Sequence, residues 1–282
     1  MNRTRALLLA VAVPLVIVVG LLVSAAFSGG DDGSSRPASS AGSTAATAST
    51  PRRSRVYAPP GTRRSDVGEG PAGAAIFSPE DDDFSEAVVI FLHGWTAVDP
   101  AAYGAWIGHL VRGGATVIYP AYQQAPYLDT ISPLASTLVA LGLAFDEVEP
   151  AGRRVVVVGH SAGGALAADY AASARAAGLP SPAAVFSVYP GRSLRGIPLR
   201  IPVVDAENIP AGTRVLALAG ARDRVVGTRV ARVIARTATR ARTALRIVRD
   251  RAVDTHGGPQ DSGRAARRTF WAPLDRLIAA TG

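Results

Sequence analysis

The chain contains no cysteine. That single absence excludes disulfides, thiolate metal sites, cysteine nucleophiles and lipoprotein-type acylation. Lysine is missing too, and all 30 basic residues are arginine. Beside the abundance of alanine, glycine and valine, this usage points to a GC-rich coding sequence more than to selection for guanidinium chemistry. No H-x-x-x-H pair is present, so metal-dependent hydrolysis has no support and no cofactor is expected. No zinc-finger spacing or aromatic stacking module accompanies the arginines, so the net charge of +8 does not imply nucleic-acid binding. The charge is uneven: after Gly220 there are 14 arginines against 5 acidic residues.

What is present falls into three parts. Asn2-Arg3-Thr4-Arg5 is a short basic head, followed by an uncharged apolar run from Ala6 to Phe27. At about 1.5 Å per residue that run can cross a hydrocarbon layer of roughly 30 Å. It is longer than a cleaved signal core of about 7–15 residues, so residues 1–28 are expected to be a membrane anchor, with a signal segment as the alternative. The basic head before the run and Asp31 and Asp32 after it place the N-terminus in the cytoplasm and the rest of the chain outside. Residues 29–70, rich in Ser, Ala, Gly, Pro and Arg, are expected to be a disordered linker. Residues 71–282 alternate strand-like and helix-like segments, which predicts a doubly wound, mostly parallel sheet with helices on both faces. The stretch 191–212 carries several prolines and no helical period, so no large lid domain is expected there.

The chain is organised around residues 154–178. Val155 to Val158 read as a short strand buried on both faces, and Gly163 to Ala177 as an Ala-rich helix stopped by Gly178 and Pro180. Between them stands Gly159-His160-Ser161-Ala162-Gly163, a G-x-S-x-G nucleophile elbow in the strand–turn–helix context it requires. The two glycines remove side chains that would collide with the turn and leave the Ser161 hydroxyl exposed at the carboxyl edge of the sheet.

A serine nucleophile needs a base, an acid to orient it and an oxyanion hole. Of the four histidines, His93 precedes a glycine at a strand end, His109 lies on a helix and His160 sits on the elbow. Only His256 lies in a loop between the last strand and the last helix, which makes it the candidate base. Asp223, in a loop after a strand ending on the same edge, is the candidate acid, with Asp205, Asp250 and Asp254 as rivals. The backbone N–H groups of Ala162 and Trp95 are the candidate oxyanion donors. Trp95 and His160 are expected to line the substrate pocket, although a Trp95 packed under its own loop is an alternative.

His93-Gly94-Trp95, the elbow, Asp223 with Val225-Val226, and His256-Gly257 together resemble a serine-dependent α/β-hydrolase of the bacterial esterase and lipase type. The resemblance spans residues 87–282. Its lack of a lid-like insertion is closer to the chlorophyllase and polyester-hydrolase groups than to interfacially activated lipases. It implies an α/β-hydrolase fold and cleavage of a small-molecule or lipid ester through an acyl-enzyme. Two other functions fit the same residues: acyl transfer to a sugar or lipid hydroxyl, and non-catalytic binding by a membrane-tethered hydrolase scaffold.

Overall fold

Apolar side chains alternate along the central strands and sort the sheet into two faces. In β3 (Ala87–Leu92) and β5 (Arg154–His160), Val88, Ile90, Leu92, Val155 and Val157 join one core, while Val89, Phe91, Val156 and Val158 join the other. Strands buried on both sides are the mark of a parallel sheet covered by two helical layers. Each such side chain contributes about 1.5–3 kcal/mol by leaving water.

The computed structural model describes residues 56–80, 86–125, 127, 132–194 and 197–281, which lie within the unit Ser54–Gly282. The other strands of the sheet are β1 (Thr62–Val67), β2 (Ala74–Pro79), β4 (Ala115–Pro120), β6 (Ala184–Val188), β9 (Arg214–Gly220) and β10 (Arg242–Val248). Their order is β1-β2-β4-β3-β5-β6-β9-β10. From β4 to β10 all neighbours run parallel, and β1 and β2 add an antiparallel edge. Helices α2 (Pro133–Val148), α3 (Ala162–Ser173) and α4 (Arg229–Thr237) cover one face through Leu141, Phe145, Leu166 and Ile234. The other face is covered by α1 (Gly104–Arg112) through Trp106, Ile107 and Leu110, and by the C-terminal helical run through Phe270, Trp271 and Leu274. The expected fold class is therefore the observed one.

One element differs from expectation, and two helices are irregular. The folded domain begins before Pro71, because Thr62–Val67, assigned above to the linker, pairs with β2 from Thr62↔Pro79 to Val67↔Ala74. Its charged side chains conceal a strand held by backbone hydrogen bonds, with the Arg64 guanidinium bound to Asp66 and lying 5.4 Å from the Phe77 ring centre. The C-terminal helical segment is three joined pieces: α5 (Arg264–Ala266), a π-helical turn (Arg267–Trp271) and α6 (Ala272–Ala279). Pro273, with no N–H to donate back along the helix, follows the widened turn. Ahead of α1 stands a 3-10 turn, Pro100–Tyr103, capped by Asp99 through the Ala101 N–H at 2.9 Å.

Between β6 and β9 the chain forms two short paired strands, β7 (Ser193–Leu194) and β8 (Ile197–Pro198), and a 3-10 turn, Ala206–Asn208. A two-pronged ion pair ties this segment to α3: both Arg192 terminal nitrogens lie 2.7 Å from the carboxylate of Asp169, which is only 1% exposed. Among the described residues no helix is long and apolar enough to cross a membrane, and the segment Ala6–Phe27 lies outside those residues.

Candidate active site

β5 delivers the elbow to the carboxyl edge of the sheet, and Ser161 follows it in a strained conformation, φ 58° and ψ −120°. A non-glycine residue reaches that region only when its surroundings hold it there. The surroundings are backbone. A Cβ on Gly159 would come within 2.0 Å of the Gly163 oxygen, and one on Gly163 within 2.1 Å of the Leu92 oxygen. The first glycine thus clears the turn itself, as expected, while the second lets α3 press against the end of β3.

Three side chains meet at this edge. Ser161 Oγ lies 3.0 Å from His256 Nε2, and His256 Nδ1 lies 2.8 Å from Asp223 Oδ2. The other Asp223 oxygen accepts from the N–H groups of Val225 at 2.9 Å and Val226 at 3.2 Å. Burial pushes the Asp223 carboxyl up, but the hydrogen bond and charge of His256 and these two N–H groups outweigh it and hold its pKa below the ordinary value. An ionised Asp223 accepts from His256 Nδ1–H, which leaves the Nε2 lone pair facing the serine hydroxyl.

The rival acids are occupied elsewhere. Asp205 caps the 3-10 turn through the Glu207 N–H, and Asp250 pairs with Arg268 at 2.6 Å. Asp254 is buried against Arg222, whose Nε and terminal nitrogen both reach its carboxylate, and Arg222 N–H also donates to the Asp254 carbonyl. The Arg222 guanidinium holds the Asp254 carboxyl below its usual range. This pair joins the loop carrying Asp223 to the loop carrying His256.

The candidate oxyanion donors stand in the loop after β3 and at the start of α3. In the loop after β3, the Gly94 N–H donates to Tyr103 Oη, the Thr96 N–H to Gln123 Oε1 and the Ala97 N–H to the Gly94 carbonyl. The Trp95 N–H has no partner among the described residues, and neither does that of Ala162, the first residue of α3. Buried Tyr122 and His93 support the loop from beneath, their rings stacked at 4.1 Å with the Tyr122 hydroxyl donating to the His93 carbonyl. Burial lowers the His93 pKa to about 4. The Trp95 side chain is partly buried and packs against the α2–α3 core.

One expected residue does not stand where it was assigned. His160 is 3% exposed and both its ring nitrogens are engaged, so it does not line a substrate pocket. The end of β5 turns its side chain into the protein, toward Tyr103 and the His256 loop. His109 binds Asp275 of α6 at 3.0 Å, beside a cavity of about 610 Å³ lined by Glu86, Arg154 and Ile278. That cavity opens at the amino ends of β3, β4 and β5, the edge opposite Ser161. Tyr103 and Gln123 carry no sequence signal for the roles they play, since each lies in a loop or turn far along the chain from the elbow.

The family described as the alpha/beta hydrolase fold matches residues 89–239. No curated protein sequence is significantly similar to the chain. Among solved structures, a thermostable esterase from Pseudomonas putida ECU1011 superposes with a TM-score of 0.61 at 18% identity, covering 79% of this chain and 84% of that one. Carboxyl esterase 2 from Tuber melanosporum gives 0.56 at 17% identity, over 83% and 89%. Esterase B from Lactobacillus rhamnosis, solved with a tributyrin phosphonate inhibitor, gives 0.58 at 14% identity, over 80% and 88%. Identities this low speak to the fold alone, but the family match spans more than half the chain and includes most of β3 and the elbow. This chain belongs to the alpha/beta hydrolase fold family.

Proposed function

We propose that the protein is a serine hydrolase that cleaves carboxylic esters through an acyl-enzyme. The observation that carries this reading is the unbroken line Ser161 Oγ–His256 Nε2, His256 Nδ1–Asp223, beside two backbone N–H groups with no partner among the described residues. His256 Nε2 takes the Ser161 proton as Oγ attacks the ester carbonyl, and Asp223 stabilises the imidazolium that forms. The N–H groups of Trp95 and Ala162 hold the oxyanion; each such donor lowers the barrier by about 3–4 kcal/mol in comparable sites. His256 then gives the proton to the leaving alkoxide. Water, deprotonated by the same nitrogen, releases the acid and restores Ser161.

The test is labelling by a fluorophosphonate probe, followed by turnover of p-nitrophenyl esters of increasing chain length. The expected result is one label, on Ser161, with probe and substrate both lost in Ser161→Ala. Labelling of another residue overturns Ser161 as the nucleophile, and no labelling with no turnover overturns the reading in favour of a binding role. The names of the three structural neighbours point the same way, and a phosphonate occupies one of them.

The basic head and apolar run of residues 1–28 support a catalytic domain tethered outside the cytoplasm. Fractionation with membranes, and release of an active fragment by proteolysis ahead of β1, is the expected behaviour. Soluble protein beginning near Gly29 would show a cleaved signal instead.

A further inference from the structure

The buried histidine beside the nucleophile is the least explained group at the site, and its bonds have a fixed direction. His160 Nε2 lies 3.0 Å from the carbonyl oxygen of His256, which can only accept, so Nε2 carries a hydrogen. Burial, reinforced by the neighbouring His256, lowers the His160 pKa to about 3 and keeps the ring neutral. Nδ1 is then a lone pair, and its partner at 2.7 Å, the Tyr103 hydroxyl, must donate. Burial pushes the Tyr103 pKa up, so the phenol keeps its proton. Its oxygen in turn accepts from the Gly94 N–H at 3.0 Å. The chain reads, without a break, from Gly94 N–H to Tyr103 O–H to His160 Nδ1, and from His160 Nε2–H to the His256 carbonyl.

Both ends of this chain belong to the candidate machinery. Gly94 precedes Trp95, the candidate oxyanion donor, and a Cβ at Gly94 would lie 3.1 Å from Tyr103 Oη and 3.5 Å from Ser161 Cβ. With the Gly94 N–H fixed inward, that of Trp95 is the next along the loop and has no partner among the described residues. At the other end, the carbonyl held by His160 belongs to the residue whose ring faces Ser161, and the two imidazoles are 4.9 Å apart. Tyr103 and His160 are each 3% exposed, so water does not substitute for either bond without entering the core.

We propose that Tyr103 and His160 are positioning residues that set the His256 loop and the oxyanion loop relative to each other through one buried, directional hydrogen-bond chain. The proposal rests on the esterase reading above and names what aligns its two halves.

The test compares His160→Leu, His160→Gln and Tyr103→Phe in the full-length protein. Glutamine can still donate to the His256 carbonyl, whereas leucine can do neither job. The expected result for His160→Leu is a kcat lower by about 10-fold to 100-fold with KM within about twofold, the scale of a misplacement near 1 Å. His160→Gln recovers most of that loss, and Tyr103→Phe falls between. Equal losses in Leu and Gln, unchanged kcat in Leu, or a loss confined to KM would each overturn the proposal. A second readout needs no turnover and no leucine variant. Imidazole nitrogen NMR should show His160 protonated at Nε2 alone, with the His256 ring signals displaced in Tyr103→Phe. A His160 protonated at Nδ1, or unmoved His256 signals, would also overturn it. Absence of both turnover and fluorophosphonate labelling in the wild type, with these NMR signatures intact, would sink the esterase reading and leave the chain standing.

Discussion

The elbow and the two loops that face it are held in place by different physics. Ser161 directly follows β5, in the middle of the sheet, and its strained backbone is fixed by van der Waals contact between glycines and neighbouring carbonyls. Asp223 and His256 stand on loops after β9 and β10, and β10 is an edge strand whose residues alternate between exposed and half-buried. Those loops are positioned by polar ties: Arg222 to Asp254, Tyr189 Oη to the Val253 carbonyl at 2.9 Å, and His160 to the His256 carbonyl. Packing tolerates no added atom, whereas hydrogen bonds give way one at a time. The two regions should therefore fail differently: the elbow through the fold, the loops through rate.

The largest effect separates chemistry from fold on the loop side. His256→Ala is expected to lower kcat for a p-nitrophenyl ester by on the order of 10⁴-fold or more, by analogy with triad knockouts. Its unfolding midpoint should stay close to wild type, because the ring is partly exposed. A variant retaining most of its turnover would move the base elsewhere.

On the elbow side the order reverses. Gly163→Ala places a Cβ 2.1 Å from the Leu92 oxygen and 2.4 Å from that of His93. It is expected to destabilise the domain by at least about 1–3 kcal/mol, the scale of overpacking, as read by denaturant unfolding. Wild-type stability with lost activity would show that the contact yields without strain and would erase the contrast.

Protons probe both regions at once. The His160 pKa is lowered to about 3 and that of His93 to about 4, so the unfolded chain binds more protons than the folded one between those values and about 6.5. Stability must then rise with pH across that window and be lost as pH falls, by about 1.4 kcal/mol per pH unit for each such group. Asp223, held low in the fold, adds a loss at the acid end, and Asp169, raised by burial, opposes it there. The check is unfolding free energy against pH in wild type and His93→Asn, whose slope should be shallower by about one proton. Identical slopes would mean that His93 titrates normally in the fold.

The smallest effect tests a single tie. Arg222→Gln removes the charged half of the clamp on Asp254 but not the backbone bond beside it. It should lower kcat only a few-fold, since one of several tethers is lost and the rest hold the loop within a fraction of the roughly 1 Å that matters. A loss comparable to that of His256→Ala would show that the loop rests on this tie alone.

By itself the sequence determined what can be read from neighbours along the chain. The elbow is legible because its steric requirement lies two residues either side of Ser161, inside a strand–turn–helix pattern. The two-faced sheet follows from strand periodicity for the same reason, whereas the order Ser161, Asp223, His256 was an expectation from the likeness to an α/β-hydrolase. Tertiary structure decided everything that depends on a partner far away in sequence. β1 is polar along its length and became a strand only through pairing with β2. Asp254 was separated from Asp223 as the acid by Arg222. His160, adjacent to the candidate nucleophile and expected to line the substrate pocket, was turned inward to Tyr103, 57 positions away. A side chain's neighbours along the chain set its backbone and rotamers, but whether it meets solvent, substrate or another polar group depends on what the rest of the fold brings against it.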